Sequence, residues 1–185
     1  MIGPLFAWGD ALRAARARRR RLRRAALAIA LGALALGATI VAPPAPRLVW
    51  NASASAPVGL YRVFPGTIAE RGRMVVAWLP APWRDLAARR HYLPANVPLV
   101  KRVVAAAGDE VCALGDAVFV NGRPAVMRRK ADRLSRPLPW WRGCVRLRDR
   151  QLFLLMDHPD SFDGRYFGVT EGTDVVGTAV LLWRR

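Results

Sequence analysis

The chain has 185 residues, 53% of them hydrophobic, and a formal net charge of +17 at pH 7. This length fits one modest domain with an appendage and argues against a multidomain enzyme. The apolar fraction and the modest glycine and proline counts exclude a disordered or collagen-like chain. The basic excess invites a nucleic-acid interpretation, but residues 1–24 alone hold eight arginines and one aspartate.

An uncharged stretch at 25–42 follows this arginine block. Eighteen helical residues span about 27 Å, close to the hydrocarbon thickness of a bilayer, and Pro43, Pro44 and Pro46 end the helix. The positive-inside rule places the N-terminus in the cytoplasm and the remainder outside. A cleaved signal peptide is the main alternative, although its apolar core is usually only about 7–15 residues. A DNA-binding arm is a third interpretation of the arginines.

The pattern after the apolar stretch is mostly that of short strands. We predict strands at 59–64, 73–79, 97–107, 118–120, 124–127, 151–156 and 175–183, and a short helix at 82–90. Asn121-Gly122 is typical of a hairpin turn. The predicted domains are a basic cytoplasmic segment (1–24), a transmembrane helix (25–42), a Pro-rich stalk (43–50) and an exported domain (51–185) with a surface excursion at about 128–148. The fold class is mainly β, an antiparallel sheet or barrel behind one N-terminal helix.

Cys112 and Cys144 are the only cysteines. In an exported domain two cysteines more often pair than stay free, so we predict a disulfide. It would close a loop of about 30 residues and stabilise the fold by about 3 kcal/mol. Neither cysteine lies in a C-x-x-C motif and the chain has two histidines, so no metal site is predicted.

Two segments carry residues suited to nucleophilic chemistry. Ser53 and Ser55 stand among small residues just before a Pro and a Gly, which leaves room for a peptide backbone, although a structural loop has the same composition. Lys101 and Arg102 lie on opposite faces of the strand at 97–107. Periodicity alone does not choose which of them points inward, and an edge-strand lysine facing water is the plainer interpretation. Only lysine can lose its proton on burial and act as a general base.

A third segment places Asp163 and Arg165 two residues apart, on one side of an extended chain. An ion pair there would hold a neighbouring lysine, whereas a solvated surface pair would contribute little. A Ser–His–Asp scheme is disfavoured, because the G-x-S-x-G elbow is absent and neither His91 nor His158 has a distinctive serine context.

Taken in order, these segments resemble the type I signal peptidase family of Ser–Lys membrane peptidases, and more closely its conjugative-transfer, TraF-type branch. The resemblance covers about residues 25–183. It rests on NASASAPVGLY at 51–61, PLVKRVVAAAGDEV at 98–111, VFVNGRPA at 118–125 and FLLMDHPDSFDGRYFG at 153–168. The Ser-x-Pro-x-Gly-Leu-Tyr form within 55–61 favours the TraF-type branch.

The resemblance implies a role for each matching residue. Ser55 is the expected nucleophile and Lys101 its general base, with the Ser55 N–H and the Ser53 hydroxyl as the oxyanion hole. Ser161 is expected to bond the lysine amine, and Asp163 and Arg165 to shape its pocket. No metal and no organic cofactor is implied.

The function implied is that of a serine endopeptidase that matures an exported propilin in conjugative transfer, by hydrolysis or by cyclisation. Its expected partners are that propilin or another preprotein and the membrane lipid, with no nucleic acid. The expected location is the inner membrane, with the catalytic domain in the periplasm. Two alternatives remain: a housekeeping signal peptidase, and a non-catalytic, membrane-anchored basic binding protein.

Overall fold

The computed structural model describes residues 4–185, with side chains from residue 12 onward, as two units divided between Pro44 and Ala45. The first unit contains helix α1 (Pro4–Val41), which ends two residues before the first of the prolines. Its portion Leu12–Val41 is long and apolar enough to cross a membrane. The arginine block and the apolar stretch belong to this one helix, because no proline or glycine pair interrupts them.

The second unit, residues 45–185, is mainly β, as predicted. One antiparallel sheet has the order β1 (Leu48–Asn51), β2 (Gly59–Pro65), β10 (Val175–Arg184), β3 (Met74–Ala77), β4 (Leu99–Ala105) and β9 (Phe153–Leu155). A four-stranded antiparallel sheet has the order β7 (Arg123–Met127), β6 (Ala117–Val120), β5 (Glu110–Leu114) and β8 (Gly143–Arg146). Helices α2 (Ala81–Arg89) and α3 (Gly164–Phe167) and a 3₁₀ turn at Gly172–Asp174 complete this unit.

Two segments that were not predicted as strands belong to the sheets in the structure. The stalk assigned to 43–50 is shorter, because Leu48–Asn51 pair with β2 and already belong to the sheet. The excursion assigned to 128–148 contains strand β8, which pairs with β5. All four β8 residues are exposed, so the segment lacks the alternation that marks a half-buried strand.

The larger sheet buries apolar side chains on both faces. One cluster is built around Val75, Leu99 and Val103, and the other includes Tyr61 and Val100. Successive side chains of a strand alternate between faces, so Leu99 and Val103 share their face with the residue between them, Lys101. A third cluster joins the two sheets through Ala105, Val111, Val118, Leu147, Phe153 and Leu155.

A disulfide between Cys112 and Cys144 links β5 to the exposed edge strand β8, where the two cysteines are register partners. Their separation of 32 residues along the chain corresponds to about 3.7 kcal/mol in the chain-entropy model, slightly more than the value expected from the sequence. The bond therefore holds the C-terminal end of the excursion against the small sheet.

Gly59 lies directly against the backbone of the neighbouring strand β10. Its φ is 156°, and a Cβ at this position would lie 2.0 Å from the carbonyl oxygen of Trp183 on β10. Since no side chain fits there, glycine is required where the chain enters β2. Gly59 also pairs with Asn51, so this contact closes the loop that carries the two candidate serines.

Candidate active site

The loop between β1 and β2 is held by buried Asn51. Its side-chain Nδ2 donates to the carbonyl oxygens of Ser53, Ala56 and Pro57 at 2.9, 3.1 and 3.1 Å, and its Oδ1 accepts from the Ser53 N–H at 3.2 Å. The Tyr61 hydroxyl donates to the Pro57 carbonyl at 2.9 Å. These bonds leave the loop little freedom, and Asn51 was not among the site residues predicted from the sequence. The available signal was an Asx turn, in which a side chain bonds the backbone two residues on.

Lys101 is the inward-facing basic residue of β4. It lies opposite Val75 of β3 and is 3% exposed. Its Nζ lies 2.9 Å from Ser55 Oγ and 2.7 Å from Ser161 Oγ. Its neighbour Arg102 lies on the other face, where its Nη1 is 3.0 Å from a carboxylate oxygen of exposed Asp157.

Burial lowers the pKa of Lys101 to about 8, with a smaller lowering by the Arg165 guanidinium and an opposing effect of the Asp163 carboxylate. Desolvation disfavours the ammonium because the low-dielectric interior replaces its water shell. At pH 7 about a tenth of the molecules then hold a neutral amine at this position. A neutral amine has a lone pair that can accept the Ser55 proton.

Asp163 and Arg165 form a fully buried ion pair behind the lysine, with both side chains 0% exposed. Arg165 Nε donates to Asp163 Oδ1 at 2.7 Å and its Nη2 to Oδ2 at 3.0 Å. The Met156 N–H donates to Asp163 Oδ2 at 3.0 Å, and Arg165 Nη2 donates to the Met156 carbonyl. The pair is therefore neither on the surface nor on an extended segment. Asp163 is the N-cap of the one-turn helix α3, and its side chain accepts a hydrogen bond from the Arg165 N–H.

Ser53 and Ser55 form a compact donor group. Their hydroxyl oxygens are 2.9 Å apart, and the Ser55 N–H donates to Ser53 Oγ at 3.3 Å. In this arrangement the Ser53 oxygen satisfies the amide that would bind an oxyanion. A substrate carbonyl oxygen would take over as the acceptor of the Ser55 N–H. It would then receive one bond from this amide and one from the Ser53 hydroxyl.

These groups open onto a cavity of about 630 Å³. Ser53, Ser55 and Lys101 lie in its wall. The apolar lining includes Leu79, Leu93, Val97, Leu99, Leu138 and Phe162. An apolar groove with a few convergent polar groups is the usual form of a site for a peptide or small molecule.

The described residues include one group with metal-ligand atoms close together: Glu110, Cys112 and Cys144, all within 4.8 Å of one another. Both sulfurs belong to the disulfide, so neither offers a thiolate. The Glu110 carboxylate lies 3.9 Å from the Arg146 guanidinium. None of these residues lines the cavity.

The similarity of this chain to known proteins identifies its family. A model of the family described as signal peptidase, peptidase S26, matches residues 19–184. The chain belongs to the signal peptidase S26 family. The match spans most of the chain, including the serine loop, β4 and helix α3.

Two curated relatives of this S26 member are plasmid transfer proteins TraF from Escherichia coli. One is 34% identical over 146 residues, which cover 72% of this chain and 82% of the relative. The other is 36% identical over 129 residues, covering 64% of this chain and 72% of the relative. A crystal structure of a signal peptidase I from Enterococcus faecalis V583 matches at 17% identity with a TM-score of 0.35, over 59% of this chain and 94% of that one.

Proposed function

We propose that this protein is a membrane-anchored serine endopeptidase with a Ser–Lys dyad, and that it matures an exported propilin in conjugative transfer. One observation carries the proposal: the Nζ of buried Lys101 lies 2.9 Å from Ser55 Oγ. A serine hydroxyl in contact with a low-pKa amine is an activated nucleophile, because the amine can take its proton. The link to conjugation is supported by the two relatives named as plasmid transfer proteins.

In the first half-reaction the neutral Lys101 amine accepts the Ser55 proton while Oγ attacks the scissile carbonyl carbon. The Ser55 N–H and the Ser53 hydroxyl stabilise the oxyanion. The carbon–nitrogen bond then breaks, and the Lys101 ammonium returns its proton to the leaving amine. This leaves an ester between the substrate acyl group and Ser55. Ser161 holds the amine in place through its 2.7 Å contact.

In the second half-reaction Lys101 takes a proton from the nucleophile that attacks this ester. If that nucleophile is water, the product is a free carboxylic acid. If it is the substrate's own N-terminal amine, the ester is converted into an amide and the pilin becomes a ring. In both cases the Ser55 hydroxyl is regenerated. We propose small residues at the −1 and −3 positions of the substrate, as the family resemblance implies.

We further propose that α1 anchors the protein in the inner membrane, with its N-terminus in the cytoplasm and residues 51–185 in the periplasm. The arginine block lies on the N-terminal side of the apolar stretch, as the positive-inside rule requires for this orientation. The disulfide fits a domain in an oxidising compartment.

A housekeeping signal peptidase is the second candidate function, favoured by the family description itself. The neighbouring genes distinguish these two functions, because genes for mating-pair formation or conjugation nearby would favour the propilin-maturing enzyme. The non-catalytic basic binding protein is less well supported. Such a protein has no use for a lysine buried against a serine, since burying an ammonium costs free energy.

The proposal is tested by mass spectrometry of a co-expressed candidate pilin with the wild type and with Ser55→Ala. We expect the wild type to shorten the pilin. Ring closure should appear as a mass about 18 Da, or one water, below that of the cleaved linear pilin. The Ser55→Ala strain should accumulate the uncut precursor. A pilin cut at the same bond in both strains would refute Ser55 as the nucleophile.

Ser53→Ala is expected to lower the cleavage rate about a hundredfold without abolishing it, because one of two oxyanion donors is lost. The loss should be in kcat, since the bond strengthens as charge develops on the oxygen. Ser53→Thr, which keeps a hydroxyl, should recover part of the rate. Steady-state kinetics on a peptide substrate provide the measurement. A Ser53→Ala rate within about twofold of the wild type would remove this donor from the mechanism.

A further inference from the structure

Two arginines share a single carboxylate at the edge of the cavity. Arg129 Nη1 donates to Asp160 Oδ1 at 2.6 Å, and Arg133 Nε donates to Asp160 Oδ2 at 2.9 Å. The side chains of Arg129 and Arg133 are 54% and 76% exposed, and that of Asp160 is 23% exposed. We call these three residues the arginine rim.

The rim belongs to the same cavity as the dyad. All three of its residues line that cavity together with Ser55 and Lys101. Asp160 immediately precedes Ser161, whose hydroxyl lies 2.7 Å from the lysine Nζ. A peptide lying in the groove with its scissile bond at Ser55 therefore passes the rim within a few residues.

The rim is held in place from below. The Arg129 N–H donates to the Tyr166 hydroxyl at 3.1 Å. The preceding residue, buried Arg128, donates to the Trp141 carbonyl at 2.7 Å and lies 3.7 Å from the centre of the Trp140 ring. The backbone at Arg129 is thus tied to the domain, and Arg133 is held through its bond to Asp160.

The rim carries an excess positive charge. Arg133 first, and then Arg129, hold the pKa of Asp160 below its ordinary value, so this carboxylate stays ionised near neutral pH. Two guanidiniums against one carboxylate leave one charge uncompensated, together with N–H donors that Asp160 does not use. The nearby Asp132 does not supply the balance, because it is 2.7 Å from Arg136 Nε.

We propose that the arginine rim is a carboxylate-binding subsite for the peptide in this groove. The ligand is a carboxylate within a few residues of the scissile bond, either an Asp or Glu side chain or a peptide's C-terminal α-carboxylate. The planar guanidinium fork matches both sources and binds them through two parallel N–H bonds. This inference rests on the proposed peptidase function, because that function puts a peptide in the groove.

The test uses full-length protein in detergent and synthetic peptides with alanine at −3 and −1. One glutamate is moved along the positions flanking the scissile bond, each peptide having a glutamine partner, and a further pair has a free or an amidated C-terminus. Cleavage is measured with the wild type and binding with Ser55→Ala. We expect about fivefold tighter binding and higher kcat/KM for a carboxylate at one position, weakening as salt is added.

The Arg129→Gln/Arg133→Gln variant should lose this preference while cleaving the neutral peptides within about twofold of the wild type. Asp160→Asn should strengthen the preference, since a competing carboxylate is removed. The matched control is Arg123→Gln, an exposed arginine of the small sheet outside the cavity, which should change nothing. The position of the preference, or its loss on amidation, separates a side-chain from a terminal carboxylate.

Equal binding of every acidic and neutral pair would overturn the subsite. So would a preference that survives in the Arg129→Gln/Arg133→Gln variant. If the wild type cleaves no peptide but Ser55→Ala binds them with the arginine-dependent preference, the peptidase proposal fails and the subsite stands. If the wild type cleaves the peptides with no preference for a carboxylate, the subsite fails and the peptidase proposal stands.

Discussion

Lys101→Arg is expected to abolish cleavage as completely as Ser55→Ala, by about a thousandfold or more. The guanidinium has a pKa above about 12 and no accessible lone pair, so it cannot accept the Ser55 proton. Its positive charge is retained, so a loss of activity reports the missing base and not a missing charge. Single-turnover cleavage of a peptide at saturating enzyme isolates the chemical step.

The matched control is Arg102→Lys, the next residue of the same strand on its opposite face. Arg102 contacts exposed Asp157 and does not line the cavity. We expect its variant to cleave within about twofold of the wild type, because a surface ion pair contributes little. Lys101→Met controls for overpacking, because methionine is smaller than arginine and also lacks a basic group. It should be as inactive as Lys101→Arg, whereas retained activity would mean that the bulk of arginine caused the loss. Appreciable turnover by a folded Lys101→Arg protein would end the base assignment.

Asp163→Asn is expected to destabilise residues 45–185 by about 3–5 kcal/mol. The substitution keeps the shape of the side chain but leaves the Arg165 guanidinium buried without a counter-ion. It also weakens the bonds from the Met156 N–H and from Arg165 Nε. Urea unfolding of the full chain in detergent, followed by tryptophan fluorescence, measures the loss.

Two companion variants separate pair burial from general damage. Asp157→Asn removes the exposed partner of Arg102 and should cost less than about 1 kcal/mol. Asp163→Asn/Arg165→Met removes both charges and should be less destabilised than Asp163→Asn alone, since no unpaired charge stays buried. If Asp163→Asn alone were as stable as the wild type, water would have to reach Arg165, and the pair would not shape the lysine pocket.

The strands were predictable where burial alternates. The patterns at 59–64 and 175–183 predicted β2 and β10 with boundaries within about one residue. Strand β8 was not predictable from its own residues. It is an exposed edge strand whose place is set by backbone pairing and by a disulfide to β5. Such information lies in the partner strand and not in the segment.

The site divides in the same way. Period-two alternation put Lys101 and Arg102 on opposite faces but did not say which of the two side chains was buried, because both faces carry apolar neighbours. Only the packing of Ser161 and the serine loop decides it. The spacing of Asp163 and Arg165 suggested an extended segment. The structure instead forms a helical turn there, since the Asp163 side chain caps the Arg165 N–H.

The central claim, a neutral Lys101 amine that activates Ser55, is tested most directly by the pH dependence of kcat/KM, which reports the pKa values of the free enzyme. Burial lowers the pKa of Lys101 to about 8, so the amine is protonated and inactive below that pH and neutral above it. We predict that log kcat/KM rises with a slope near one at low pH and levels off above about 8. A profile that is flat across this range, or that falls as the pH rises through it, would contradict the account.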